Sequence, residues 1–212
     1  CASFPRQKVV SADPILGSQV MATGLINLLE HAKKAHLKKF LYISSSMVYG
    51  DFENDVTEDV VCDPIGQYAI MKLMGEQLVK DYSRRTGMEY TIVRPSAVYG
   101  EWDVEDRVVS KFMLGAMRGD TLKVRGANEV LDFSYVKDTA MGIVQAALAT
   151  NTHAKIYNIT RSDSRLYTLL DAAKLAISIA KKGQIKIEGK DTEFPSRGRL
   201  SIDLARKDFG YD

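Results

Sequence analysis

The 212 residues are 45% apolar and 26% charged, an ordinary composition for one large domain or for a core with a smaller lobe. A formal charge of +2 without any Lys/Arg block speaks against nucleic acid as a main partner. No apolar run approaches the roughly 20 residues of a membrane span, and two isolated cysteines, Cys1 and Cys62, fit free thiols in a reducing compartment. The expectation is a cytoplasmic protein with no membrane partner.

Helix and strand signals alternate along the chain. Asp13-Pro14 is a cap and first-turn pair, and the apolar spacing after it predicts a helix over 13–36. "KKFLYISS" reads as a short strand of the kind a parallel sheet buries on both faces. The acidic stretch from Asp51 to Gly66 reads as a solvated loop. Gln67 to Arg85 has helical period, with Gly87 as its stop. "EYTIVRP" is a strand ended by Pro95; 104–117 is a helix, and "TLKV" and "LDFSYV" are short strands. "KDTAMGIVQAALAT" is a helix, "KIYNIT" a strand, and "LYTLLDAAKLAISIAKK" a long amphipathic helix. Such βαβα alternation predicts an α/β fold with a parallel sheet.

One pair of residues carries chemistry. Tyr68 and Lys72, four apart in "QYAIMK", share a helix face. A phenol of pKa about 10 is a poor base at neutral pH, and a neighbouring ammonium favours its ionised form. A serine of "YISSSMVYG", at the end of an adjacent strand, could bond the same substrate hydroxyl, because parallel sheets place ligands at their carboxyl edge. Taken alone, a Tyr and a Lys at this spacing arise often by chance.

The order "FLYISSSMVYG", "DPIGQYAIMK", "YTIVRPSAVYG", "LDFSYVKD" resembles the extended short-chain dehydrogenase/reductase family, the nucleotide-sugar epimerases and dehydratases. The resemblance runs over most of the chain, from "DPILGSQVMATGLINLLE" to "GRLSIDLARKDFGYD". It implies a Rossmann-like, doubly wound parallel sheet with a smaller C-terminal substrate-binding lobe. Residues 1–100 would be the later part of the NAD-binding domain, and 101–212 mainly the lobe, with returns to the first domain at about 130–160. Ser45, Tyr68 and Lys72 would be catalytic. Ser44, Tyr68, Lys72, Pro95 and Val98 would lie on the cofactor, and Ser45, Ser46, Ser96, Trp102 and Arg199 on the substrate. The cofactor would be NAD, with NADP as the alternative, and the partner a nucleotide-sugar. A homodimer would form through the helices at about 13–36 and 67–85; the extra apolar residues Ile70, Leu73, Met74, Leu78 and Val79 suit a partner helix, and burial between sheet and lid explains them nearly as well.

Departures from the family pattern narrow the reaction. No GxGxxG or GxxGxxG occurs in the chain, so the phosphate-binding βαβ turn is absent. The expectation is that roughly seventy residues of the half-fold precede Cys1. Met21 stands where the family usually has Asn, Ala97 where an Asn is common, and Leu131 where an Arg precedes "DF". The dehydratases carry Asp-Glu after the catalytic Thr; here those positions are Ser46 and Met47, and a thioether moves no proton. The epimerising ketoreductases have Cys and His at the positions of Met47 and Trp102. What is left is the minimal set for hydride-shuttle epimerisation through a keto sugar, at C4. A 4-keto-sugar reductase and a non-catalytic nucleotide-sensing or scaffolding descendant are the alternatives. His31, His36 and His153 lack metal-ligand spacing, and no metal is expected; Cys62 reads as an incidental thiol.

Overall fold

The computed structural model describes residues 3–4, 6–53, 55–104, 106–192 and 194–212; Cys1 lies outside them. Three strands form the central sheet: β1 (Lys39–Ile43), β2 (Glu89–Pro95) and β7 (Lys155–Ile159), all parallel, in the order β1-β2-β7. Their apolar, β-branched runs suit a sheet covered on both faces. Helices α3 (Gly24–Lys34) and α4 (Gln67–Thr86) cover one face, closing Leu25, Leu29, Val79 and Tyr82 over Phe40, Tyr42 and Tyr90. Helices α6 (Val136–Leu148) and α8 (Asp203–Phe209) cover the other, with Ala146, Ile202 and Ala205 against Val93, Tyr157 and Ile159. The sheet is therefore doubly wound, as expected.

Several elements differ in detail from the sequence reading. The helix expected over 13–36 starts after α1 (Gln7–Ala12) and runs as α2 (Pro14–Ser18), a π-helical turn (Gln19–Thr23) and α3. Asp13 caps it by accepting the Leu16 N–H at 2.9 Å, with Pro14 at its first position. Strand β1 is half-buried along its length rather than buried, with β2 its one strand partner among the described residues. The helix expected from 104 begins at Val108, since Arg107 is extended and Asp103 holds the Val104 N–H and the Arg107 guanidinium. Strand "LDFSYV" is split into β5 (Val130–Leu131) and β6 (Phe133–Tyr135) at buried Asp132, which accepts from Thr160 and Ser162. Strand β3 (Ala97–Tyr99), unforeseen, pairs with β6.

A second apolar cluster lies outside the sheet. Helices α5 (Val108–Arg118) and α7 (Leu169–Ala180) pack Phe112, Ala116, Ala173 and Ala176 on Leu122 and Val124 of β4 (Thr121–Arg125), which pairs with β9 (Gln184–Glu188). Helix α7 opens with a capping box, Thr168 and Asp171 each holding the other's backbone N–H, just after β8 (Tyr167–Thr168) pairs with β5.

The acidic loop after β1 is not simply solvated. Val56 bridges to Leu200, Asp55 holds Arg199 on two hydrogen bonds, and the Glu58 carboxylate accepts the Asn158 N–H at 2.8 Å. Among the described residues no helix is long and apolar enough to cross a membrane.

Candidate active site

A cleft of about 730 Å³ opens at the carboxyl edge of the sheet, between the sheet and the α5–β4 cluster. Its walls include Ser44, Ser45, Tyr68, Lys72, Pro95, Ser96 and Val98, so the sequence-predicted residues of three separate segments meet in it. Ser46 is buried behind them, its hydroxyl 3.3 Å from that of Ser96. Two more predicted substrate contacts, besides Ser46, do not join: Trp102 is 100% exposed, and Arg199 faces Asp55 and the carbonyls of Asp163 and Ser164. Neither lines the cleft.

Helix α4 sets the geometry. Its entry is fixed by Gly66 at φ +86°, where a Cβ would fall 2.6 Å from the Gln7 side chain. Gln7 itself, on α1, accepts the Tyr68 N–H at 3.0 Å and so caps the helix. From there each turn presents one polar side chain to the end of β1. Tyr68 faces Ser45. Lys72 donates from Nζ to the Ile43 carbonyl at 2.9 Å, and lies 5.7 Å from the Tyr68 ring centroid. Glu76 accepts from the Ser44 hydroxyl at 2.6 Å.

Ser45 is extended and caps the turn that follows: its Oγ accepts the Met47 N–H at 3.2 Å, leaving the hydroxyl proton available on the cleft side. Burial pushes the Tyr68 phenol up, while the Ser45 hydroxyl and then the Arg107 charge pull it back. The Tyr–Lys spacing suggested Lys72 as the source of that relief. Its ammonium is instead disfavoured by its own burial and pushed down to about 8. With one hydrogen bond, to Ile43, Lys72 keeps donors for a ligand hydroxyl.

Behind Ser44 sits a group that sequence reasoning missed. Arg94, the sixth residue of β2, grips Glu76 in a fork, Nε to Oε1 at 2.9 Å and Nη2 to Oε2 at 2.7 Å. Glu76 is wholly buried and Arg94 nearly so. Only burial reveals such a pair; nothing in its spacing, 18 residues apart, announces it. Arg94 also lies 4.7 Å from the Tyr49 ring, whose hydroxyl donates to Asn158.

Apolar residues close the Tyr68 end of the cleft: Met21, from the π-helical turn, and Met47 are buried with Val10 and Ala69, and Phe4 and Phe194 pack against them. The wall contributed by the β4 cluster and the C-terminal segment carries Lys123, Arg125, Lys190 and Arg197 beside the carboxylates Glu129 and Asp191, which pair with Lys190 and Arg125. Among the described residues the buried Nε of Arg197 has no hydrogen-bond partner, and burial lowers that guanidinium to about 10. One residue, Gly198, separates it from the predicted Arg199, and the register of the 194–200 segment decides which of the two enters the cleft. Among the described residues no three His, Cys, Asp or Glu side chains are placed to hold a metal, and burial pushes the Cys62 thiol up, away from nucleophilic use.

Comparison with known proteins gives concordant matches. The model of the family described as "NAD dependent epimerase/dehydratase family" matches residues 7–160. A putative UDP-glucose 4-epimerase of Methanocaldococcus jannaschii is 32% identical over 76% of this chain and 54% of its own length. The crystal structure of the UDP-glucuronic acid 4-epimerase of Bacillus cereus, in complex with UDP-glucuronic acid and NAD, superposes with a TM-score of 0.92 at 24% identity, over 100% of this chain and 68% of that one. The dTDP-glucose 4,6-dehydratase of Streptomyces venezuelae, with NAD bound, also gives 0.92, at 19% identity and with 66% of its chain covered. These superpositions establish the Rossmann fold. The chain spans 54% to 60% of the length of the first three curated relatives it matches.

Proposed function

Because this chain belongs to the NAD-dependent epimerase/dehydratase family, we propose that it carries the chemical half of an NAD-dependent nucleotide-sugar epimerase that inverts C4 through a keto intermediate. The observation that carries the reading is the convergence of Ser45, Tyr68 and Lys72 on one cleft, with Met21 and Met47 packed against Tyr68. A dehydratase has to move protons at neighbouring carbons as well, and a thioether offers none. Epimerisation needs only the minimal set.

NAD, when bound, supplies the hydride acceptor and donor. The residues present fit its nicotinamide-ribose end: Lys72 has N–H donors to spare for ribose hydroxyls, and Pro95 and Val98 line the adjoining wall. They do not include a glycine-rich phosphate turn.

Within that site Tyr68 takes the proton of the C4 hydroxyl and returns it after the keto sugar has turned over. Ser45 donates its hydroxyl proton to the substrate oxygen, first as alcohol and then as ketone. Lys72 holds the ribose, and the Arg107 charge favours the ionised Tyr68. Lys123, Arg125 and Arg197 give the opposite wall the charge and forked donors that suit a nucleotide diphosphate. The same proposal includes a homodimer through α2–α3 and α4, supported by the exposure of Ile15 and Ile70, 74% and 49%.

The test is turnover of UDP-glucose by the purified full-length protein, with mass spectrometry of the denatured sample for bound NAD. Tyr68→Phe is expected to lower turnover by about 10²–10⁴-fold while retaining NAD. Full activity in that variant removes Tyr68 from the chemistry. Stoichiometric consumption of reduced cofactor points to a reductase, and a protein that binds neither NAD(H) nor NADP(H) to a scaffold.

A further inference from the structure

We infer that Glu76 is a positioning residue for the reaction, setting Ser45 against Tyr68 through the Ser44 hydroxyl, with Arg94 as its anchor. The inference rests on the reading of Ser45 and Tyr68 given above.

The geometry works as a zipper. Residues four apart on a helix stay on one face, and α4 uses three successive turns on three successive residues at the end of β1. Lys72 binds the Ile43 carbonyl, Glu76 binds the Ser44 hydroxyl, and Tyr68 faces Ser45. The Ser44 N–H is held by the Val93 carbonyl at 2.8 Å. Side chain and backbone of Ser44 are thus both fixed, and the next residue has little freedom in where it points.

Glu76 can play this part because it cannot move. Both its oxygens are engaged by Arg94, and the carboxylate is fully buried. Arg94 belongs to the neighbouring strand β2, and its Nη1 donates to the Glu58 carbonyl at 3.3 Å. The anchor therefore joins helix, sheet and acidic loop. A buried ion pair of this kind adds little stability over packed hydrophobic residues. What it does supply is orientation: the charge-assisted hydrogen bond to Ser44, at 2.6 Å, is short and directional.

Glu76→Gln would strand Arg94 and threaten the fold, so the decisive variant is Ser44→Ala, which removes one hydroxyl and leaves the ion pair whole. Thr91→Val is the matched control. It also deletes a buried hydroxyl, one donating to the Thr152 carbonyl at 2.9 Å, but in the N-terminal half of β2 and away from the cleft lining.

Two measurements are made on the full-length protein: kcat and KM with UDP-glucose, and hydrogen exchange of the peptide covering residues 44–49 without ligand. Misplacement by about 1 Å can cost about 100-fold in rate, so loosening Ser45 is expected to lower kcat about tenfold. KM should stay within about twofold, since uniform substrate binding is untouched. Amide exchange in 44–49 should speed up in Ser44→Ala, and Thr91→Val should leave both measurements at the wild-type level. Wild-type kcat in Ser44→Ala, unchanged exchange in 44–49, or an equal kcat loss in Thr91→Val overturns the inference. Tyr68→Phe separates the two claims: if it is inactive while Ser44→Ala is normal, only the role of Glu76 is lost, whereas a fully active Tyr68→Phe takes the site reading with it.

Discussion

Lys72 is where stability and chemistry pull in opposite directions, and Lys72→Met should separate them. The side chain is 6% exposed, and burial holds its ammonium at about 8 against an ordinary 10.5. Between those two values the unfolded chain binds more protons than the folded one, so stability rises with pH; below the folded value both states are charged and the whole cost is present. At about 1.4 kcal/mol per pKa unit, the charged Lys72 costs the fold roughly 3 kcal/mol at neutral pH. Methionine fills similar space without charge but leaves the Ile43 carbonyl without its donor, a loss of about 1–2 kcal/mol. The variant should therefore be more stable than wild type by about 1–2 kcal/mol near pH 7, and the balance should shift by about 2.5 kcal/mol in favour of wild type by pH 10, leaving the variant the less stable of the two by about 0.5–1.5 kcal/mol. Urea denaturation followed by far-ultraviolet circular dichroism measures it; Trp102, fully exposed, is a poor reporter of unfolding. A stability difference that does not change with pH would refute the claim that Lys72 is charged against the cost of its burial.

Two further substitutions probe the frame of the site. A Cβ at Gly75 would lie 2.1 Å from the Tyr42 hydroxyl, so Gly75→Ala should push α4 off β1; a loss of about 1–3 kcal/mol in urea titration is expected, and unchanged stability would mean that helix and strand have room to spare. Arg94→Met leaves the Glu76 carboxylate, 0% exposed, without its ion-pair partner and should cost about 3–5 kcal/mol in the same assay. A loss under about 1 kcal/mol would mean that water reaches Glu76.

The sequence was most legible where one local rule decides the outcome. Asp13-Pro14 caps its helix, Gly87 ends α4 in the left-handed conformation, and the strand-forming runs around Tyr42, Val93 and Tyr157 became the three strands of the sheet. It was least legible where a residue's state depends on what lies beside it. "KFLYI" has the composition of a doubly covered strand, yet it is half-buried, with β2 its one strand partner among the described residues. The π-helical turn that brings Met21 into the cleft leaves no mark in the apolar spacing of 13–36, since one extra residue in a turn shifts a helix face without breaking the pattern. Arg197 and Arg199 are identical in type, and the choice between them was made by the Val56–Leu200 bridge and by Asp55, more than a hundred residues away in the chain.

The Tyr–Lys spacing illustrates the same limit inside the site. Spacing places two side chains on one helix face, but it carries no information on the dielectric around them. In the fold that dielectric acts first: it raises the phenol and lowers the ammonium together, opposite to what a solvent-exposed pair would do for proton transfer. A buried phenol is useful as an acid–base only if other groups offset the burial. The Ser45 hydroxyl and the Arg107 charge offset part of it here, though the phenol stays above its ordinary value, and both belong to segments the helix itself does not contain. In the proposed mechanism, proton transfer at Tyr68 thus depends on how firmly the end of β1 and the entry to α5 are held against α4. That is why the buried carboxylate of Glu76, which never reaches the cleft, can matter to the reaction as much as a residue that does.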